Sequence, residues 1–187
     1  MNEIKILHAP VFSHELNSLT AGDSVYLTGT IYTARDAAHR LIYQMIMEGK
    51  PLPVDFEDQV IYYAGPCPAK PGHIIGSCGP TTSSRMDVYT PMLLERGLKV
   101  MIGKGPRSRE VIDAIVKHGA VYLAAVGGAG ALIAACIKNV EVIAFEDLGT
   151  EAIHRMQVEN MPLMVAIDSK GNDLYQIGPD CFSQLER

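Results

Sequence analysis

Strand-like and helix-like segments alternate regularly between Leu98 and Phe145. The apolar strand segments are residues 98–102, 120–126 and 140–145, and the helical segments are residues 108–118 and 131–137. Strands and helices at this spacing are typical of βαβ units and a parallel sheet. We therefore predict an α/β fold with a mostly parallel central sheet, in a single domain that spans residues 1–187.

The segments on either side of this alternation are richer in β-strand patterns. Ser24–Thr33 carries β-branched and aromatic residues and predicts a strong strand, which Asp36 follows as the predicted N-cap of a helix. Near the other end, Asp168–Asn172 predicts a hairpin turn and Asp173–Ile177 its return strand. Flanking β elements should therefore surround the central sheet.

The stretch from Gly65 to Arg85 is too rich in glycine and proline for a helix or a central strand. It ends in four hydroxyl residues, Thr81–Ser84, which precede Arg85 and a predicted helix. Hydroxyls and a guanidinium on a backbone that is about to enter a helix can hold a carboxylate. We predict that this loop contributes to a binding site.

Two further cations lie at predicted strand-to-helix junctions, where side chains of α/β proteins project into a cleft. Arg35 follows one strand, and Lys104 stands between two glycines after another. An exposed arginine at a helix cap and a solvated lysine in a glycine turn remain open as alternatives. If they converge with Arg85, three cations suit a ligand with two carboxylates, and a nearby threonine could transfer a proton if its oxyanion were stabilised.

Charge and cysteine pattern argue against several other classes of protein. The net charge is −5 and the basic residues are scattered, which disfavours nucleic acid as the main partner. The sequence has no apolar run that could span a bilayer, and its first residues lack a signal-peptide pattern, so we predict a cytoplasmic protein without a membrane partner. Cys67 and Cys78 match no local zinc or iron–sulfur spacing, so we predict no metal ligands in this chain.

Five segments resemble the C-terminal domain, or separate β subunit, of class I iron–sulfur fumarate hydratases and the related L(+)-tartrate dehydratases. The segments are GTIYTARDAAHR at 29–40, YAGP at 63–66, GPTTSSRM at 79–86, GKG at 103–105 and FEDLGTEAI at 145–153. Several of these motifs occur in the order of the family, and the resemblance covers nearly the whole chain. The resemblance implies a swivelling β/β/α fold.

The resemblance also implies an activity and a division of labour between two subunits. The enzyme would be a hydro-lyase that converts fumarate to (S)-malate reversibly with a [4Fe–4S] cluster. The cluster ligands would belong to a partner α subunit, in an assembly such as α2β2, so the isolated chain should be inactive. Arg35, Thr82, Arg85 and Lys104 would bind the substrate, and Thr81 would be the catalytic base that removes the C3 proton.

The substrate and the role of the chain leave alternatives open at this point. A tartrate dehydratase β subunit and a non-catalytic dicarboxylate-binding module of the same fold would carry similar motifs. Without its partner the cleft face would be uncovered, so we expect that the isolated chain could form a homo-oligomer.

Overall fold

The computed structural model describes residues 4–126 and 128–183 of the chain. The strands in this part are β1 (Lys5–Ala9), β2 (Ser24–Thr33), β3 (Val60–Tyr62), β4 (Val100–Gly103), β5 (Val121–Ala124), β6 (Ile137–Ala144) and β7 (Ile153–Ile167). The α-helices are α1 (Ser13–Leu16), α2 (Asp36–Met47), α3 (Thr90–Leu94), α4 (Arg109–His118), α5 (Gly130–Cys136) and α6 (Leu174–Ser183). Two 3₁₀-helices cover Ser83–Met86 and Glu146–Glu151. The α/β class is confirmed.

Five strands close into a barrel-like ring. The strands β2, β3, β4 and β5 pair side by side in parallel, and β7 then pairs antiparallel with both β5 and β2. Outside the ring, β1 pairs in parallel with β2, and β6 pairs antiparallel with β7. The sheet is thus mixed and closed, which differs from the predicted mostly parallel central sheet.

The strands alternate their side chains between two apolar cores, as a period of two residues requires. Val60 and Tyr62 of β3 point into the ring, whereas Ile61 and Tyr63 point towards the outer layer. The outer layer also buries side chains of α2, α3 and α4, with Ile42, Leu93 and Ile115 as examples. The helices therefore cover the parallel half of the ring.

Two predictions for the second half of the chain are wrong in detail. The strand predicted at residues 140–145 is β6, but it pairs with β7 and does not extend the parallel series. The turn at Asp168–Asn172 forms, yet helix α6 occupies the predicted return strand, and a single bridge joins Ile167 to Asp173. The Asp168 side chain explains the turn, because it accepts bonds from the backbone of Lys170 and Asn172.

In the described ranges, no helix is long and apolar enough to cross a bilayer.

At Gly29 the backbone of β1 lies too close to β2 to leave room for a side chain. Gly29 pairs with Ala9, adopts a φ of +123°, and stands at the irregularity in the pairing of β2 with β7. A Cβ atom there would overlap the backbone of Ala9. Only glycine combines this conformation with this approach at low cost.

We expect the substitution Gly29→Ala to lower the free energy of unfolding by about 3 kcal/mol, because it adds a backbone clash to a disfavoured φ. Urea denaturation followed by circular dichroism measures this loss. Gly49 is a matched control, since its φ is +66° and no atom lies within 4 Å of a Cβ built on it. Gly49→Ala should cost about 1 kcal/mol, and equal losses at the two positions would contradict the steric explanation.

Candidate functional site

The predicted site residues lie at the carboxyl ends of three neighbouring parallel strands. Arg35 follows β2 and Lys104 follows β4, while the segment after β3 leads to Thr81. Backbone bonds tie these ends together, from Tyr63 N to Ile102 O at 2.8 Å and from Thr81 N to Tyr63 O at 2.7 Å. Ligands of open α/β sheets bind at this kind of edge. The structure therefore brings the predicted residues to one edge of the ring.

Two of the three cations share an acidic partner. Asp36 contacts Arg85 Nε through Oδ1 at 2.7 Å and faces Arg35 Nη2 through Oδ2 at 3.7 Å. Glu151 lies 3.4 Å from Arg35 Nη2 and accepts a bond from the backbone N–H of Ala37 at 3.0 Å. Among the described residues, the recorded ion pair of Arg85 uses Nε, which leaves its terminal nitrogens for a carboxylate.

The position of Asp36 corrects one prediction. The sequence predicted Asp36 as the N-cap of the helix, but Arg35 is the N-cap residue and Asp36 begins α2. From the first turn of the helix, the Asp36 side chain reaches both arginines. Asp36 thus holds Arg35 and Arg85 beside each other and does not cap the helix.

Lys104 and the hydroxyl cluster lie on adjoining backbones. Thr82 and Lys104 form an isolated parallel bridge, and Ser83 N donates to Lys104 O at 2.9 Å. The side chains of Thr82 and Lys104 are exposed, and Thr81 is half-buried. The structure therefore places Thr81, Thr82 and Lys104 next to one another, on a surface open to a ligand or a partner.

Three buried side-chain atoms in the described part of the chain have no hydrogen-bond partner: Arg35 Nε, Asp36 Oδ2 and His39 Nε2. All three belong to the first turns of α2 or its N-cap. Native proteins satisfy most buried polar atoms, so a cluster of unsatisfied ones asks for an explanation. They mark a buried polar cluster at the start of α2, next to the ion pairs of Arg35 with Asp36 and Glu151.

The buried ring of His39 contacts the backbone of Arg35. Its Nδ1 lies 2.9 Å from the carbonyl oxygen of Arg35, and its ring packs against Tyr63 and Tyr89 at centroid distances of 5.4 and 6.1 Å. Burial lowers the pKa of His39 to about 4, although the bond to the Arg35 carbonyl acts in the opposite direction. The ring is therefore neutral near pH 7 and must carry its proton on Nδ1 to donate to that carbonyl.

The sequence did not identify the buried support of the site. Arg107 is fully buried, donates from Nε to Asp87 Oδ1 at 2.7 Å, and lies 5.3 and 5.0 Å from the ring centroids of Tyr63 and Tyr122. Nothing in its sequence context, a loop before a helix, distinguishes Arg107 from an exposed arginine. Glu151 lies within the FEDLGTEAI segment that carries the family resemblance, but the resemblance did not assign a role to this residue.

The charged edge is open to solvent, because Arg85 and Lys104 are exposed. The largest concave region recorded in the described part of the chain, of about 790 Å³, lies between residues 67–77 and α5. Another, of about 340 Å³, lies between residues 66–75 and β6. Neither is lined by Arg35, Arg85 or Lys104. The charged edge is therefore a surface that another molecule must cover to exclude water.

We expect stability to fall as the pH drops from about 6.5 towards 4, because His39 has a lowered pKa in the folded state. The unfolded chain binds the proton more readily in this interval, so the neutral buried ring stabilises the fold fully above it. Relative to a His39→Phe variant, the wild type should lose about 2 kcal/mol between pH 7 and pH 5. Urea denaturation at the two pH values measures this difference.

The control for this experiment is His73→Phe, which changes an exposed histidine in the loop after β3. This variant should keep the pH dependence of the wild type. If His39→Phe keeps it as well, the lowered pKa of His39 does not contribute to stability.

Comparisons with known proteins place the chain in a family. The family model described as Fumarase C-terminus matches residues 1–178. "Fumarate hydratase class I, anaerobic" of Escherichia coli (strain K12) is 43% identical over 164 residues, which are 87% of this chain and 30% of that enzyme. "Fumarate hydratase 2" of Leishmania major is 42% identical over 163 residues, which are 86% of this chain and 29% of that enzyme.

A shorter relative matches over nearly its whole length. "Putative L(+)-tartrate dehydratase subunit beta" of Methanocaldococcus jannaschii is 41% identical over 168 residues, which are 87% of this chain and 86% of that subunit. The chain thus spans about 30% of the length of the two fumarate hydratases and most of the length of the subunit. These matches confirm the resemblance that the sequence motifs indicated, and the chain belongs to the fumarase C-terminus family.

Proposed function

We propose that this chain is the β subunit of an iron–sulfur hydro-lyase that hydrates fumarate reversibly to (S)-malate. The observation that carries the proposal is the convergence of Arg35, Arg85 and Lys104 beside Thr81 at one edge of the ring, in a member of this family. The similarity to class I fumarate hydratases supports the reaction class.

The proposal assigns the rest of the enzyme to a partner. Because the matched fumarate hydratases are more than three times as long as the matching region, a cluster-bearing α subunit would supply the remainder. The name of the M. jannaschii relative, a subunit beta, supports an enzyme of two kinds of subunit, which we propose to be an α2β2 assembly in the cytoplasm. The open, charged edge supports the same arrangement, since a partner there would exclude water.

The residues that the structure describes offer no set of ligands for an iron–sulfur cluster. In the described ranges, no three His, Cys, Asp or Glu side chains are grouped so that they could hold a metal ion. Burial raises the pKa of the Cys78 thiol to about 12, which opposes the thiolate that a cluster ligand needs. We therefore propose that the partner holds the [4Fe–4S] cluster, and we assign this chain no step that involves it.

Within the proposal, this chain binds and orients the substrate. The terminal nitrogens of Arg85 and the guanidinium of Arg35 would pair with carboxylates, and Lys104 and Thr82 would complete the binding site. Asp36 and Glu151 already offset part of the arginine charge. A dicarboxylate would therefore have to share the arginines with these acids.

Thr81 would act on the proton. In the dehydration direction it would remove the C3 proton of malate, and in hydration it would return that proton. A threonine is a poor base in water, so its oxyanion needs nearby positive charge. Two groups of this chain can provide this charge. Arg85 lies on the same segment as Thr81, and Lys104 lies on the adjoining segment.

Tartrate is the second candidate substrate, and the observation that favours it is the reciprocal coverage of the tartrate dehydratase subunit. A non-catalytic dicarboxylate-binding module is the third possibility, which assays of the assembled enzyme on fumarate, malate and tartrate distinguish. We also propose that the mixed ring is of the swivelling β/β/α type and that the uncovered edge lets the isolated chain self-associate.

We expect Thr81→Ala to lower kcat of the assembled enzyme by about 10² to 10⁴, because it removes the group that exchanges the proton. Assembly should be unchanged, since the Thr81 contact that the structure records is made by its backbone N–H. Steady-state kinetics and size-exclusion chromatography measure the two effects. Thr20→Ala, at an exposed position, is the control and should leave kcat unchanged.

We expect Arg85→Ala to raise KM by about tenfold or more, because a charge-assisted bond to a carboxylate is lost. Arg109→Ala is the matched control, since Arg109 is an exposed arginine that pairs with Asp113 on α4. If Thr81→Ala and Arg85→Ala both keep wild-type kinetics, the proposed site is wrong. If the isolated chain is active alone, the proposed need for a partner is wrong.

A further inference from the structure

We propose that Tyr122 is a positioning residue, whose hydroxyl fastens the loop that carries Lys104 to the segment that carries Thr81 and Thr82. This inference rests on the proposed function only in assigning a catalytic purpose to the two segments. The link itself is a matter of hydrogen bonds between named groups, and it can be tested without an assay of turnover.

The Tyr122 hydroxyl stands between the two segments. It donates to the carbonyl oxygen of Gly105 at 2.9 Å and lies 2.8 Å from Ser83 Oγ. Because a tyrosine hydroxyl has one proton and a carbonyl cannot donate, that proton belongs to the bond with Gly105. The Ser83 hydroxyl must then donate to Tyr122, so the chain of bonds runs in one direction, from Ser83 through Tyr122 to Gly105.

The two linked residues adjoin the proposed site residues directly. Gly105 follows Lys104, and Ser83 follows Thr82. A backbone bond from Ser83 N to Lys104 O already joins the two segments at the surface. The hydrogen bonds of the buried Tyr122 hydroxyl add a second connection below this backbone bond. The two segments are therefore joined both at the surface and in the interior.

Tyr122 is itself held in place by a buried cation. The Arg107 guanidinium lies 5.0 Å from the centroid of its ring and 5.3 Å from that of Tyr63. Arg107 is in turn fixed by bonds of 2.7 Å to Asp87 and 2.8 Å to Thr90. A ring that is packed in this way cannot readily follow a moving loop. Tyr122 is therefore a rigidly packed residue of β5, and the two segments are hydrogen-bonded to its hydroxyl.

Gly103 shows that the close approach is built into the sequence. A Cβ atom at Gly103 would overlap Ser83 Oγ and would lie 3.0 Å from Tyr63 Cδ2. The absence of a side chain at this position is what allows the Ser83 hydroxyl to reach Tyr122. The glycine before Lys104 thus has a steric purpose that is separate from any contact with a ligand.

The test compares Tyr122→Phe with Tyr62→Phe in the enzyme assembled with its partner subunit. Both tyrosines are fully buried, and each would lose a hydroxyl that donates to a backbone carbonyl. Tyr62 donates to the carbonyl oxygen of Cys78 at 2.7 Å in the core of the ring, three residues before Thr81, and it contacts neither Ser83 nor the loop that carries Lys104 in the described hydrogen bonds. The two variants therefore remove the same kind of bond at different places.

The first measurement is amide hydrogen exchange of the assembled enzyme. We expect exchange at Ser83 and Gly105 to accelerate by about tenfold in Tyr122→Phe, as loss of one buried hydrogen bond permits, and to stay unchanged there in Tyr62→Phe. Equal protection of these amides in both variants would overturn the link. Ser83→Ala is a second variant that removes the donor to Tyr122 and should accelerate exchange in the same two segments.

The second measurement is steady-state kinetics on fumarate, malate and tartrate. We expect Tyr122→Phe to lower kcat by about 10- to 100-fold with a smaller change in KM, because a small displacement of Thr81 from Lys104 slows the proton transfer. Tyr62→Phe should stay within about twofold of wild type at a similar loss of thermal stability. Accelerated exchange with unchanged kcat would overturn the positioning role.

The outcomes separate this inference from the proposed function. If the wild-type assembly turns over none of the three substrates, the proposed function fails, while the exchange data still decide whether Tyr122 fastens the two segments. If Tyr122→Phe and Ser83→Ala lower kcat and the double variant is no worse than the single ones, the hydroxyl chain acts as one unit, as proposed.

Discussion

The packing of the outer layer depends on the contacts that the buried guanidinium of Arg107 makes. A charge without access to water is tolerated only when paired and hydrogen-bonded, and Arg107 finds Asp87, Thr90 and the faces of two tyrosines. These partners belong to β5, to the residue after β3, and to the stretch from Asp87 to the first residue of α3. One side chain thus fixes the relative positions of three pieces of backbone that lead to the proposed site.

The arginines of the proposed site are already paired with acidic residues of the same chain. Asp36 and Glu151 hold the arginines in position and lower the net charge of the edge, while Arg35 Nε and Asp36 Oδ2 keep unused hydrogen-bonding capacity. Such an arrangement keeps the cations ordered before a ligand arrives, which reduces the cost of ordering them on binding. It also explains why a site with three cations need not be strongly positive.

The sequence predicted what local patterns and motifs determine. Ser24–Thr33 is a strand with the predicted bounds, and the predicted loops bring Arg35, Thr81 and Lys104 to one edge because parallel strands end together. It could not predict contacts between distant segments. The closure of the ring by β7, the bridging position of Asp36 and the burial of Arg107 all depend on tertiary packing. Residues 174–177 belong to α6, and the Asp168 turn is stabilised by its own side-chain bonds without a return strand.

The closure of the ring by β7 has a consequence for how the chain is made. Thr33 of β2 pairs with His154 of β7, and these residues are 121 positions apart. During synthesis β2 therefore emerges long before the strand that covers its antiparallel side. Contacts of this separation slow folding and leave a strand edge exposed to other chains. A chain that ends before Ile153 therefore leaves this edge of β2 unpaired, and such a fragment should be prone to mispairing and aggregation.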